Sequence, residues 1–94
     1  MYLIEAVESK DKETYNRWHS KCIGKRCLIE LHGEGSSLRM MIEGLLGDPE
    51  KWNGYRTSKI LRITDWEDYS GIIRLCVETQ NSIYTLRRLP DDSI

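Results

Sequence analysis

The residue types best suited to chemistry gather at His19, Cys22, Cys27 and His32, a His-x2-Cys-x4-Cys-x4-His arrangement. Two imidazoles and two thiolates make a ligand set for tetrahedral zinc. The spacing, however, is not that of paired knuckles. His19 and Cys22 belong to a helical face, and Cys27 and His32 have opposite parity on an extended strand, so convergence of all four needs a sharp distortion. The residues are therefore read as core and surface positions, with no metal bound. A nucleophile needs a base and an orienting group beside it. The chain has two histidines and no Gly-x-Ser-x-Gly elbow. The glycine-rich "LHGEGSS" lacks the Gly-Lys-Ser/Thr of a phosphate loop, carries Glu34, and joins two strands. The expectation is no catalytic activity and no cofactor.

Two other segments combine carboxylates with aromatic rings. "GDPEKWNG" at 47–54 carries Asp48, Glu50 and Trp52, and "TDWEDYSG" at 64–71 carries Asp65, Trp66, Glu67, Asp68 and Tyr69. As loops, each could fold its Trp over a barrel mouth, or dock on a partner protein, where Trp and Tyr are favoured anchors. Base stacking would instead need aromatics among lysines and arginines, because bases bring their phosphates with them. The basic residues lie elsewhere, on strand faces: Arg26, Arg39, Arg62, Arg74 and Arg87, sharing outward parity with Leu28, Met41 and Ile60. Arginine with methionine and aliphatic residues is a composition of protein interfaces. The candidate partner-binding set is thus Trp52, Trp66, Tyr69, Asp48, Glu50, Asp65, Glu67, Asp68, Arg62, Arg74 and Arg87. The net charge of −1 disfavours duplex DNA as partner. Nucleic acid, or a cyclic nucleotide held between subunits of a dimer, stands as the alternative.

Positioning these residues falls to short elements. "YLIEAV" at 2–7 is rich in strand formers. A short helix over 12–21 follows, with Ser9 as cap, Tyr15, Trp18 and Cys22 on one face, and Gly24 to stop it. Then the period becomes two. Cys27, Ile29 and Leu31 face the core in one strand, and Leu38, Met40 and Ile42 in the next, after which Gly44 marks a bulge or close approach. "YRTSKILRIT" puts Tyr55, Leu61 and Ile63 against Arg56, Ser58, Ile60 and Arg62. "IIRLCVET" and "SIYTLRRL" form a hairpin around Asn81, with Ile73, Leu75, Val77, Tyr84 and Leu86 inward and Arg74, Cys76, Glu78, Thr85 and Arg87 outward. Leu75→Asp should therefore unfold the domain, and Arg74→Asp should barely move its Tm.

These elements, over 94 residues, make a single mainly β (α+β) domain, 1–94. Five or six short antiparallel strands form a bent sheet or a partly open SH3- or OB-like barrel with one short N-terminal helix. The last residues, "PDDSI", read as a frayed acidic tail. The apolar fraction of 39% with 31% charged residues is that of a globular protein. No apolar run approaches the roughly 18 residues of a membrane span, and three cysteines suit reduced thiols in the cytoplasm.

One resemblance adds context. Tyr55, Thr57, Ser58 and Ile60, followed by Thr79, Asn81, Ser82, Tyr84 and Leu86, form an "aromatic-x-Thr-Ser-x-Ile" strand and a "Thr-x-Asn-Ser-x-Tyr-x-Leu" hairpin. This pattern resembles the C-terminal half of many small proteins of phages and mobile elements, and it covers about a third of the chain. The resemblance implies a phage or prophage accessory protein of the anti-defence kind, such as the anti-CRISPR proteins. It also implies a host defence protein or nuclease as partner, met in the host cytosol. The Trp-bearing segments and the helix lie outside the shared pattern, so it carries over no binding residue.

Overall fold

The computed structural model describes residues 1–10 and 17–90, with the backbone alone at 17 and 18. Its elements are β1 (Tyr2–Ser9), α1 (Arg17–Cys22), β2 (Arg26–Glu30), β3 (Ser37–Glu43), β4 (Trp52–Glu67), β5 (Ile73–Thr79) and β6 (Ser82–Arg88). The six strands are antiparallel and close into a ring in sequence order, with β1 pairing back onto β6. The ring is uneven. β1 and β6 pair along nearly their whole length, but β1 meets β2 only at Tyr2↔Cys27 and Leu3↔Arg26. The seam is extended by Ile4 N donating to Lys25 O (2.9 Å) and Gly24 N to Ile4 O (2.8 Å).

Strand periodicity fills the ring as expected for most elements. Leu38, Met40 and Ile42 of β3 and Cys27 of β2 are fully buried, together with Ile4, Val77, Tyr84 and Leu86. Helix α1 adds Cys22 to this core and stops at Gly24, whose φ of 84° is a left-handed conformation that suits glycine. The first part of the expected helix and Tyr15 fall outside the described residues, as does the Trp18 side chain. Ser9, expected as its cap, is the last residue of β1 and pairs with Ser82. Gly44, expected at a bulge or close approach, instead begins the turn after β3 with a left-handed φ of 69°, and a Cβ there would meet Pro49 Cα only at an ordinary 3.5 Å. The "PDDSI" tail beyond Pro90 also lies outside the described residues. No helix among the described residues is long and apolar enough to cross a membrane.

The β5–β6 hairpin has the anticipated faces, with Leu75↔Leu86 and Val77↔Tyr84 paired inward. Its two-residue loop is Gln80–Asn81. Such loops ordinarily need left-handed residues, yet neither residue has a positive φ. The turn is instead held by the Thr79 side chain and by contacts from outside the hairpin. Ser82 N donates to Thr79 Oγ1 (3.1 Å), Asn81 N to Ser58 Oγ (3.1 Å), Gln80 N to Lys59 O, and Lys10 N to Asn81 O (both 2.9 Å).

Strand β4 departs from the expected facing. Ile60 is buried and Leu61 is half exposed, the reverse of simple alternation from Tyr55. The pairing shifts between Ser37 and Arg39 on the β3 side and between Ile60 and Arg62 on the β5 side. Each such irregularity inverts parity once. The strand is also longer than read, because 52–54 and 64–67 are strand and not loop. Asp, Asn and Gly are depleted in strands and signalled turns there, but these positions pair regularly: Asn53 with Ile42, Gly54 with Met41, and Asp65 with Leu75.

Candidate interaction surfaces

β4 changes partners along its length, and this divides the candidate residues into separate surfaces. Its first part pairs with β3 and its second part with β5. Trp52, opposite Glu43 at the start of β4, and Trp66, opposite Arg74 near its end, lie at the two ends of this strand. The structure does not bring them together.

The Trp66 end is an arm made by 62–67 and 73–78, closed by the turn 68–72. Asp68 organises the turn. Its Oδ1 accepts from Ser70 N (2.9 Å), Ser70 Oγ (2.6 Å) and Ile72 N (3.0 Å), and its Oδ2 accepts from Arg74 Nη1 (2.5 Å). The Ser70 hydroxyl and the Arg74 guanidinium hold the Asp68 carboxyl far below its usual range. Arg74 Nε also donates to Glu5 (2.7 Å), tying the arm to β1. Asp68 and Arg74, both candidates for partner contact, are thus committed within the fold. The tolerance expected of Arg74→Asp is withdrawn, because a third carboxylate would replace the cation between two others. What the arm leaves exposed is Asp65, Glu67, the Trp66 indole at 42% and the whole of Tyr69. Neither Asp65 nor Glu67 has an ion-pair partner among the described residues.

At the other end, Glu50 N donates to Asp48 Oδ1 (3.0 Å), and both acidic residues are exposed beside a half-buried Trp52. Nearby, the outer sheet carries a groove of about 540 Å3. Leu28, Met41 and Gly54 lie in one cross-strand row along its floor, and Glu30, Arg39 and Arg56 form the next row. The parity of Leu28, Met41 and Arg39 pointed to this face. Arg56, of the parity opposite to Tyr55, belongs to the same face, Gly54 falls in a segment whose composition reads as loop, and Ile60 does not belong to the face.

The remaining arginines differ from one another. Arg62 is exposed opposite Glu78, which is itself ion-paired with Lys10 at 2.6 Å. Arg87 is half-buried, its Nε buried without a hydrogen-bond acceptor, beside a cavity of about 590 Å3 lined by Ile72, Ile73, Arg88 and Leu89.

The four residues of the metal pattern do not converge on one site: the two thiols share the core, and the two histidines have other partners. His19 Nε2 lies 3.3 Å from Ser82 Oγ with its ring edge-on to Tyr84, and His32 pairs at the surface with Glu30 (2.7 Å). Cys22 and Cys27 are core thiols that burial pushes up to about 11 and about 12, so neither is a thiolate near neutrality. No protein-family model, no curated protein and no solved structure matches the chain.

Proposed function

We propose that the chain is a non-catalytic binding protein of the phage accessory kind, which inhibits a larger host defence protein, such as a CRISPR effector or other nuclease, by covering one of its functional surfaces. The observation that carries this reading is the β4–β5 arm. Trp66 stands exposed on one face of the strand, Asp65 and Glu67, without ion-pair partners among the described residues, on the other, and Tyr69 is exposed on the adjoining turn, which Asp68, Arg74 and Glu5 brace. A braced turn has little backbone freedom left to lose on docking, and exposed Trp and Tyr are favoured anchors. The carboxylates of the same strand can meet a basic groove that otherwise receives phosphates. The phage-type pattern in β4 and the hairpin supports the same reading. Expression in a bacterial host whose CRISPR effector removes a target plasmid should preserve that plasmid, and a folded Trp66→Ala, Tyr69→Ala double variant should lose the effect. Full protection by the double variant would contradict the reading.

A nucleotide-binding alternative has one observation in its favour, the orphaned Arg87 Nε beside a cavity that Arg88 also lines. It predicts oligonucleotide binding that weakens steeply with salt.

A further inference from the structure

The ring has a gap along β4. The last main-chain bonds from β4 to the β2–β3 loop are at Ile60, whose N donates to Ser36 O (2.8 Å) and whose O accepts from Gly35 N (2.9 Å). From there to Glu67 only β5 pairs with β4 among the described residues. The direction of the unpaired groups follows from the register. In an antiparallel pair both main-chain groups of one residue point the same way, and the direction alternates along the strand. Asp68 N donates to Ile72 O (3.0 Å), and the pairing from Arg62↔Glu78 to Glu67↔Ile73 is regular. Arg62, Thr64 and Trp66 therefore bond β5, while the N–H and C=O groups of Ile63, Asp65 and Glu67 face outward, unpaired. The side chains along this edge are exposed except for half-buried Ile63.

We propose that the open edge of β4 over residues 62–67 takes an extended basic segment of the protein partner as an added antiparallel strand. An open edge with unpaired main-chain groups is a template for strand addition. Charge selects the occupant. Asp65 and Glu67 lie two apart and so project from one face of the sheet, with no cation beside them among the described residues. Across from them an added strand places two residues that are also two apart, and lysine or arginine at both compensates the pair. The residue between them turns to the opposite face, beside the half-exposed Trp66, where an apolar side chain fits. The segment is thus basic-apolar-basic. This inference rests on the arm being the interaction surface.

The test is a titration of the 15N-labelled protein with a peptide of roughly eight residues alternating lysine and valine, a typical strand length. Amide shifts should concentrate on 62–67 and the Trp66 indole. N-methylation of the lysine amides, which lie opposite Asp65 and Glu67 and so bond the edge, should weaken binding by at least about tenfold. Asp65→Pro should do the same, because proline is tolerated where the N–H faces outward. An Asp65→Lys, Glu67→Lys variant should instead prefer a peptide alternating glutamate and valine, which keeps the test decisive if the proline variant folds poorly. Equal binding of the N-methylated peptide, shifts centred elsewhere, no binding at low salt, or an edge filled by a second copy of the chain that Asp65→Pro disperses would each overturn the proposal. Loss of partner inhibition in Trp66→Ala but not in Asp65→Pro would sink the edge inference and leave the functional reading standing. Specific peptide addition without any inhibition would do the reverse.

Discussion

Asp68 and His19 show how a side chain's surroundings, and not its type, decide its role. Asp68 reads in sequence as one more loop carboxylate, but it accepts hydrogen bonds from Ser70, Ile72 and Arg74. Asp68→Ala should lower the Tm by several degrees and broaden the resonances of 68–72, whereas Glu67→Ala should leave the Tm almost unchanged. His19 reads in sequence as a residue of a helical face, and in the structure it is half-buried, where desolvation lowers its pKa below 6.5. The sign follows from proton binding. Between the folded value and 6.5 the unfolded chain holds more protons than the folded one, so stability rises with pH and is lost as pH falls through this window. Lowering pH from about 7 to about 5 should reduce the Tm, and His19→Gln should flatten that part of the profile. The carboxyls that ion pairs or hydrogen bonds hold low, Glu43, Glu78 and Asp68, act in a separate window. Their stabilising contribution is present above the ordinary carboxylate range and fades at more acid pH.

The β5–β6 hairpin and β3 were readable because each is a short run of unbroken alternation with one buried face. β4 was not, since two irregularities invert its parity and its ends are written in Asp, Asn, Gly and Trp. Such a bend answers to the two neighbouring strands, β3 and β5, that pair with β4 and leaves no local pattern. Thr79→Val should destabilise the hairpin by about 1–3 kcal/mol, the cost of leaving the buried Ser82 N–H without its acceptor. Leu86→Ala, in the fully buried row, should cost about 2–5 kcal/mol in denaturant unfolding. The alternation of main-chain groups makes a sharper demand. Thr64→Pro removes a bond to β5 and should lower the Tm markedly, while Asp65→Pro, one residue on, should have a small effect. Similar losses from both would show the outward direction of Asp65 to be wrong.

Across the whole molecule, residues that look alike in sequence reach different places. The acidic aromatic segments at 47–54 and 64–71 read in sequence as a pair of loops, yet they include the two ends of one long strand. The outward arginines seemed one face, but Arg74 is engaged with Glu5 and Asp68 while Arg87 is half-buried. Composition gave the candidates, and ring closure sorted them, because the path of β4 decides which side chains keep company. The exposed arm with Trp66 and Tyr69 is the surface on which the functional reading depends. Its most direct test is capture of host proteins from a bacterial lysate by three immobilised forms: the parent chain, Trp66→Ala with Tyr69→Ala, and Met41→Ala in the opposite groove. The account predicts one captured defence protein, retained by the Met41→Ala form and reduced at least about tenfold by the arm variant, as loss of a central anchor implies. Undiminished capture by the folded arm variant, or loss through Met41→Ala alone, would contradict it.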